Sequence, residues 1–290
     1  SFSLSSRLWL VLALAMLPLL VLTIVDYRRE RQDAIANLEQ DARLMLQAAR
    51  IEEEAAMRIV RQTLHTMAGA EDMRELDPES CNGLARRMLS SAENIANLGA
   101  AYPNGDLFCS ARPLVDAVNV ADREWFQESL SNNSISKGQF LIGRVSGKPG
   151  ITFGLPLRAP SGKLKALLYL ASDIRWFDRL TRNYNLPEGW TSALVTSSGE
   201  IVSRYPNPDE FRGKQWPAES KASFLNVLEN DRSTFVALSL DGIQRLYVIQ
   251  RLSLAGGELV VGIGAPVSQT LSVIDRNFWW RLIILATISL

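Results

Sequence analysis

Tyr169 and Asp173, four residues apart, carry the most usable chemistry in this 290-residue chain. In an extended segment alternate side chains share a face, so both project from one side of a strand. There Asp173 can hold a hydrogen-bond donor, while Tyr169 can stack or hydrogen-bond. Arg144, Ser146, Lys148 and Thr152 add cationic and hydroxyl groups on adjoining strands. Such a set suits binding of a small polar molecule. Plainer readings stand beside it: Asp173 as the cap of a helix starting at Ile174, and Arg144 with Lys148 as a solvated loop face.

Catalytic chemistry finds little support. Gly143 to Lys148 is one residue short of a phosphate-binding loop, and Pro149 stands where Ser or Thr belongs. Gly256-Gly257-Glu258 echoes a cyclase signature but falls in a turn between strand patterns. There is no Gly-x-Ser-x-Gly elbow, and the single histidine, His65, removes most histidine-based nucleophilic and zinc chemistry. No metal or cofactor is expected. Lys+Arg of 31 against Asp+Glu of 31 leaves no electrostatic footprint for nucleic acid. The two cysteines, Cys81 and Cys109, read either as a disulfide in an oxidising compartment or as two buried thiols. A bridge would stabilise by roughly 3.5 kcal/mol on the chain-entropy model.

Two apolar runs frame the chain. Leu8 to Val25 carries no charge and is near the ~20 residues that cross a bilayer. A cleaved signal peptide would show a shorter core and a small-residue cleavage site. The second run, Arg281 to Leu290, follows the aromatic belt Phe278-Trp279-Trp280 and reads as a span that is cut short, with an effector beyond it. Arg28, Arg29 and Arg31 after the first run oppose the positive-inside tendency; the paired cysteines place the middle region in a periplasm or its equivalent.

The elements that position the polar set follow from periodicity. Arg28 to Met67 has no Gly or Pro and carries a helical apolar stripe at Ile35, Leu38, Ala42, Met45, Ala49, Ala56, Val60, Leu64 and Met67. This long helix can dock on its own domain, on a second copy, or on both. After a polar break at Glu71–Pro78, a short helix fits Cys81–Ala92. A hairpin fits Ile95–Tyr102 and Leu107–Ser110 around Pro103-Asn104-Gly105-Asp106. A helix capped by Asp122 runs to Leu130, and strands fit Gln139–Arg144, Ile151–Leu157 and Leu164–Ala171. The scheme recurs: a hairpin at Trp190–Thr196 and Ile201–Tyr205, a helix at Ser220–Glu229, then strands Thr234–Leu240, Gln244–Gln250 and Glu258–Ala265, with a turn at Ala255-Gly256-Gly257. A last helix starts at Pro266.

A long helix followed by two such α+β units between flanking spans resembles the double Cache (tandem PAS-like) sensor domain. The residues that carry the resemblance are Pro103-Asn104-Gly105, Ala121-Asp122-Arg123-Glu124-Trp125-Phe126, Gly143-Arg144-Val145-Ser146-Gly147, Ser172-Asp173, and the segment from Ser198 to Pro206. It implies an α+β fold of two PAS-like antiparallel-sheet units. The organisation is then a transmembrane helix at 8–25, a long periplasmic helix at 26–70, a membrane-distal unit at 71–184, a membrane-proximal unit at 185–265, and a helix at 266–290 leading into a second, truncated span.

The resemblance also implies a ligand in the distal unit. One subset of the family binds amino acids through an Arg-x-Trp-Tyr segment and a distant Asp. Here Arg123, Trp125 and Asp173 match, while Phe126 replaces the Tyr and removes a polar handle. Arg123, Trp125 and Phe126 thus join the candidate site. Arg123 can also pair with Asp122 or Glu124, and Trp125 and Phe126 can be core anchors. A guanidinium fork suits a carboxylate. The function implied is ligand sensing, as a homodimer in the inner membrane, regulating a cytoplasmic diguanylate cyclase or histidine kinase; a chemoreceptor and a periplasmic interaction module without a small-molecule ligand are the alternatives.

Overall fold

A computed structural model describes the backbone of residues 4–288 except 74, 93, 176, 179–185, 231 and 254–257, and within those residues the side chains of 16–287. The turn expected at Ala255-Gly256-Gly257, the unit boundary at Tyr184, Leu290, and the side chains of the first half of the Leu8–Val25 run lie outside the described residues. Among the described residues no helix is long and apolar enough to cross a membrane.

Helix α1 (Leu4–Gly69) is continuous over 66 residues and accommodates Pro18. Its buried apolar positions are Leu38, Ala42, Leu46, Ala49, Val60, Leu64 and Met67. Leu46 takes the place expected for Met45, because a 3.6-residue turn drifts against a seven-residue repeat. His65, next to fully buried Leu64, is exposed. Helix α2 (Pro78–Ser90) begins before the expected start at Cys81. The Asp77 carboxylate accepts from the Ser80 amide at 2.8 Å, and Pro78 sits where a missing N–H costs nothing.

The first sheet comprises β1 (Ile95–Ala101), β2 (Leu107–Ser110), β3 (Gln139–Ile142), β4 (Pro149–Arg158) and β5 (Leu164–Ser172), with α3 (Glu124–Ser131) between β2 and β3. Its order is β2-β1-β5-β4-β3, every pair antiparallel. The second comprises β6 (Thr191–Thr196), β7 (Ile201–Tyr205), β8 (Thr234–Leu238), β9 (Gln244–Arg251) and β10 (Leu259–Pro266), with α4 (Pro208–Phe211) and α5 (Ala218–Glu229) between β7 and β8. Its order, β7-β6-β10-β9-β8, is the same topology shifted by five strands. The α+β expectation of a long helix and two antiparallel units is thus met. Cys81 on α2 and Cys109 on β2 are joined by a disulfide, with Cα atoms 5.7 Å apart.

One apolar core joins α1 to a face of each sheet, through Leu98, Leu168 and Leu170 in the first and Leu194, Val248, Val261 and Ile263 in the second. Helix α6 (Val267–Ile288) leaves β10 without a loop and returns along α1. The Tyr27 hydroxyl donates to Asp275 Oδ1 at 2.8 Å, the Tyr27 ring stacks on Phe278 at 4.2 Å, and Arg281 pairs with Glu30 at 2.9 Å.

If α1 is held by this core, Leu64→Ala should lower stability by about 2–5 kcal/mol in urea melts. His65→Ala, one position on, should stay within about 0.5 kcal/mol.

Candidate ligand-binding site

The face of the first sheet that turns away from α1 packs under α3, and a cleft of ≈ 410 Å³, counting its open mouth, remains between them. Alternation along β4 and β5 sends Thr152, Tyr169 and Ala171 to this side. Gly154 lets α3 come down: a Cβ there would lie 2.8 Å from Trp125 Cε3 and 2.2 Å from Ser129 Oγ. The Trp125 ring therefore lies on bare backbone, 6.0 Å from the Tyr169 ring. Leu107, Val120, Leu141 and Val145 supply apolar walls.

Arg123 immediately precedes α3, and the chain that carries it is clamped from the β1–β2 turn. Gly105 has φ +92°, and a Cβ on it would sit 2.6 Å from the Ala121 backbone nitrogen. Val120 N donates to Gly105 O at 2.8 Å, and the Asn119 amide donates to Asp106 at 2.7 Å. The Pro103–Asp106 turn thus sets the segment that presents Arg123. Asp122 does not cap α3. The residue at that position is Arg123, with no side-chain bond to the helix, because Asp122 is taken by two bonds of 2.7 Å from Arg144. Paired charge-assisted bonds of this kind outweigh a single cap bond. Arg144 holds the Asp122 carboxyl below its usual range, and Asp122 raises the Arg144 guanidinium in turn. Arg144 also donates to Asn119 O.

Beneath the cleft lies a buried polar network. Asn97 Nδ2 donates to Ser110 Oγ and to the Tyr169 hydroxyl, both at 3.0 Å. Burial pushes the Tyr169 phenol up to about 12, moderated by Ser110 and Asn97, so it stays neutral. Nothing in the sequence reading singled out Asn97. Its signal was a short polar amide inside the otherwise apolar strand Ile95–Ala101, a residue type that strands disfavour.

Arg123, Trp125, Arg144, Ser146, Thr152 and Tyr169 line the cleft together. Phe126, Lys148 and Asp173 do not line it. Phe126 is buried in the core, edge-on to Trp125 at 5.8 Å. Asp173 shares a face with Tyr169 in sequence, but the strand ends at Ser172 and the carboxylate closes on Arg175 at 2.5 Å, with Lys148 Nζ 3.9 Å away. Burial raises the Asp173 carboxyl, but Arg175 and then Lys148 outweigh it and leave it below the usual value. Arg144 is neutralised by Asp122. The Arg123 side chain makes no hydrogen bond or salt bridge among the described residues; its charge adds to that of Arg144 in favouring ionised Asp122, so two guanidinium groups share one carboxylate and the net charge of the three is positive.

The matching side of the second sheet is filled. Trp216 packs against Tyr247, Phe224 and Phe235 at 5.0, 5.4 and 5.6 Å, and the Tyr247 ring lies on Gly264 of the central strand. Behind the cleft, Glu258 at the start of β10 meets Glu124, Glu128, Lys137 and Trp125 in a small crevice, where the two units touch. Burial raises the Glu258 carboxyl and the charge of Glu124 adds to the rise, offset in part by the backbone N–H of Phe140.

A single five-stranded topology used twice and backed by one helix, with a cleft under α3 in the first unit, defines a tandem α+β module. Residues 30–274 match the Cache domain model dCache_1, and the chain belongs to this family of extracytoplasmic sensor domains. No curated protein sequence matches it. Among solved structures it is similar to the sensory domain of the Campylobacter jejuni chemoreceptor Tlp3 with isoleucine bound (13% identity, 86% of this chain and 97% of that one, TM-score 0.62). It is also similar to the ligand-binding domain of the Pseudomonas fluorescens chemoreceptor CtaA in complex with L-isoleucine (13% identity, 86% and 98%, TM-score 0.59). A third is the extracellular domain of rpHK1S-Z16, a histidine-kinase candidate (16% identity, 83% and 95%, TM-score 0.55). At these identities the likeness is one of fold.

Two outcomes test the geometry. Gly154→Ala should cost about 1–3 kcal/mol through the collision with Trp125 and Ser129. Glu258 binds its proton more tightly folded than unfolded, so its contribution is unfavourable at neutral pH and relieved as pH falls through its raised folded pKa. Glu258→Gln should therefore melt higher than the parent at pH 7, with the difference closing toward pH 4.

Proposed function

We propose that the chain is the sensory part of a transmembrane signal-transduction protein and binds a small carboxylate in the distal cleft. The observation that carries this reading is the half-buried Arg123 guanidinium, its donors not engaged by any side-chain hydrogen bond or salt bridge among the described residues, lining the cleft with Trp125, Thr152 and Tyr169. A guanidinium presents two parallel donors to a carboxylate, and the surrounding apolar walls strengthen the pair by excluding water. Leu107, Val120, Leu141 and Val145 suit an aliphatic or aromatic body of modest size. Tlp3 and CtaA were solved with isoleucine, so amino acids belong in any ligand screen. An ammonium here would find neutral oxygens, because Asp122 and Asp173 are each engaged by an arginine. That favours a carboxylate without an amino group.

Output follows from differential affinity: a ligand moves the equilibrium only by its preference for one conformation. Helices α1 and α6, clasped through Tyr27, Asp275 and Phe278, are the two elements placed to carry a shift toward a membrane and a cytoplasmic diguanylate cyclase or histidine kinase. The apolar runs at 8–25 and 281–290 would be the anchors in the inner membrane, with the sensor in the periplasm. Leu44 and Ile51, exposed on α1, support pairing with a second copy, and they are equally what an interaction module without a ligand would show.

Thermal-shift and calorimetric titration of the chain with small carboxylates and amino acids decides between these. A ligand should raise the melting midpoint in proportion to RT ln(1 + [L]/Kd). Arg123→Ala should weaken it about 10- to 100-fold, the worth of a charged hydrogen-bonded contact, with Arg123→Lys between the two. Unchanged affinity in Arg123→Ala would overturn the site; a broad panel without any shift would favour the interaction module.

A further inference from the structure

The strands that floor the cleft also wall a second cavity, on their reverse face. Where Thr152, Tyr169 and Ala171 point to the cleft, the alternate residues Ile151, Phe153, Leu170 and Ser172 point toward α1. The helix meets them with Ala55 and Ala56, too short to fill the space, while Met57, Ile59 and Val60 border it, and a cavity of ≈ 630 Å³, counting its open mouth, is left. Val60, Ile151, Phe153 and Leu170 are almost wholly buried around it. Its apolar walls lack dispersion partners across the gap, and its mouth admits an apolar group of ring size.

One end of the cavity is different. Glu52, one turn before Ala56 on α1, stands at its edge. Its carboxylate makes no hydrogen bond or ion pair among the described residues. The Ser172 hydroxyl, also at the edge, is already engaged with the Ile151 backbone. Asn94 also lines the cavity and is itself engaged, so the charge left at this edge is the single anion of Glu52, opposite in sign to the net charge at the cleft.

We propose that this cavity is a second ligand site, for a small apolar cation: a ring or short branched body seated between Ala56, Val60, Phe153 and Leu170, with its ammonium at the mouth beside Glu52. The two sites differ in charge preference, so their ligands do not compete. They share β4 and β5, so occupancy of either face acts on the same two strands. The second site also borders α1 directly, and a molecule there would bear on the helix without passing through the sheet.

Benzylammonium serves as probe, with toluene and benzoate as controls, titrated calorimetrically into the full chain carrying Arg123→Ala so that the cleft does not contribute. Saturable binding of benzylammonium, weaker binding of toluene and none of benzoate is the expected order. Ala56→Phe, which fills the cavity, should reduce benzylammonium affinity at least about tenfold, since burial of a ring is worth more than 1.4 kcal/mol. Glu52→Gln, on an exposed edge where folding is not at risk, should reduce it about two- to fivefold, the range for an exposed ion pair, and leave toluene unchanged. No saturable binding of benzylammonium overturns the proposal. So does affinity indifferent to both substitutions, or a loss of self-association as the effect of Ala56→Phe, which would make a second copy the occupant.

Discussion

Burial of one stripe of α1 against both sheets is the constraint on which the rest depends. Each sheet has one apolar face that the elements of its own unit leave largely uncovered, α2 closing only the β1–β2 side of the first, and a half-buried sheet is stable only when that face meets another layer. Helix α1 supplies that layer for both, through Leu38 to Ala49 and then Val60 to Met67. The opposite faces are thereby left to the short helices α3, α4 and α5 and to whatever fills the space beneath them. The site exists because α1 has taken the other side.

Two copies of one topology then part ways through a few side chains. In the second unit Phe211, Trp216, Phe224, Phe235 and Tyr247 close the space over the sheet. In the first, the central strand carries Tyr169 flanked by Gly99 and Gly154; Gly99 lets the β2 backbone approach at Cys109, and Gly154 lets α3 come down on the sheet. The Tyr169 hydroxyl accepts from Asn97, and with Thr152 beside it the floor of the cleft offers a few fixed polar groups among apolar walls. Two arginines above such a floor share one carboxylate, Asp122, and the donors of Arg123 are left for whatever else enters the cleft.

Much of the architecture was legible in the residue pattern. The turns at Pro103–Asp106 and Ser197–Glu200, and the alternation of apolar residues between them, mark strands by a local mechanism, and the repeat follows from their order. Errors arose where a side chain had two available partners. Asp122 resembles a cap in sequence, yet Arg144, 22 positions on, offers it two bonds. Asp173 has the right parity to face the cleft, yet the strand ends one residue earlier and Arg175 captures it. Asn97 drew no attention because its partners, Ser110 and Tyr169, come from two other strands. Free space is the least legible property: neither the cleft under Trp125 nor the chamber beside Ala56 leaves a trace in periodicity.

The length of α1 has a mechanical consequence. From Ala56, where the helix borders the distal sheet, to Leu4 there are 52 residues of uninterrupted helix, about 78 Å at 1.5 Å per residue. A rigid rod of that length converts angle into distance: a tilt of about 1° at the distal end displaces the far end by roughly 1.4 Å. A slide along the axis, by contrast, arrives no larger than it began. The shape of the molecule therefore magnifies rotation of the helix over translation, and a change in side-chain packing near Ala56 too small to reshape a core is large enough to be read at the other end.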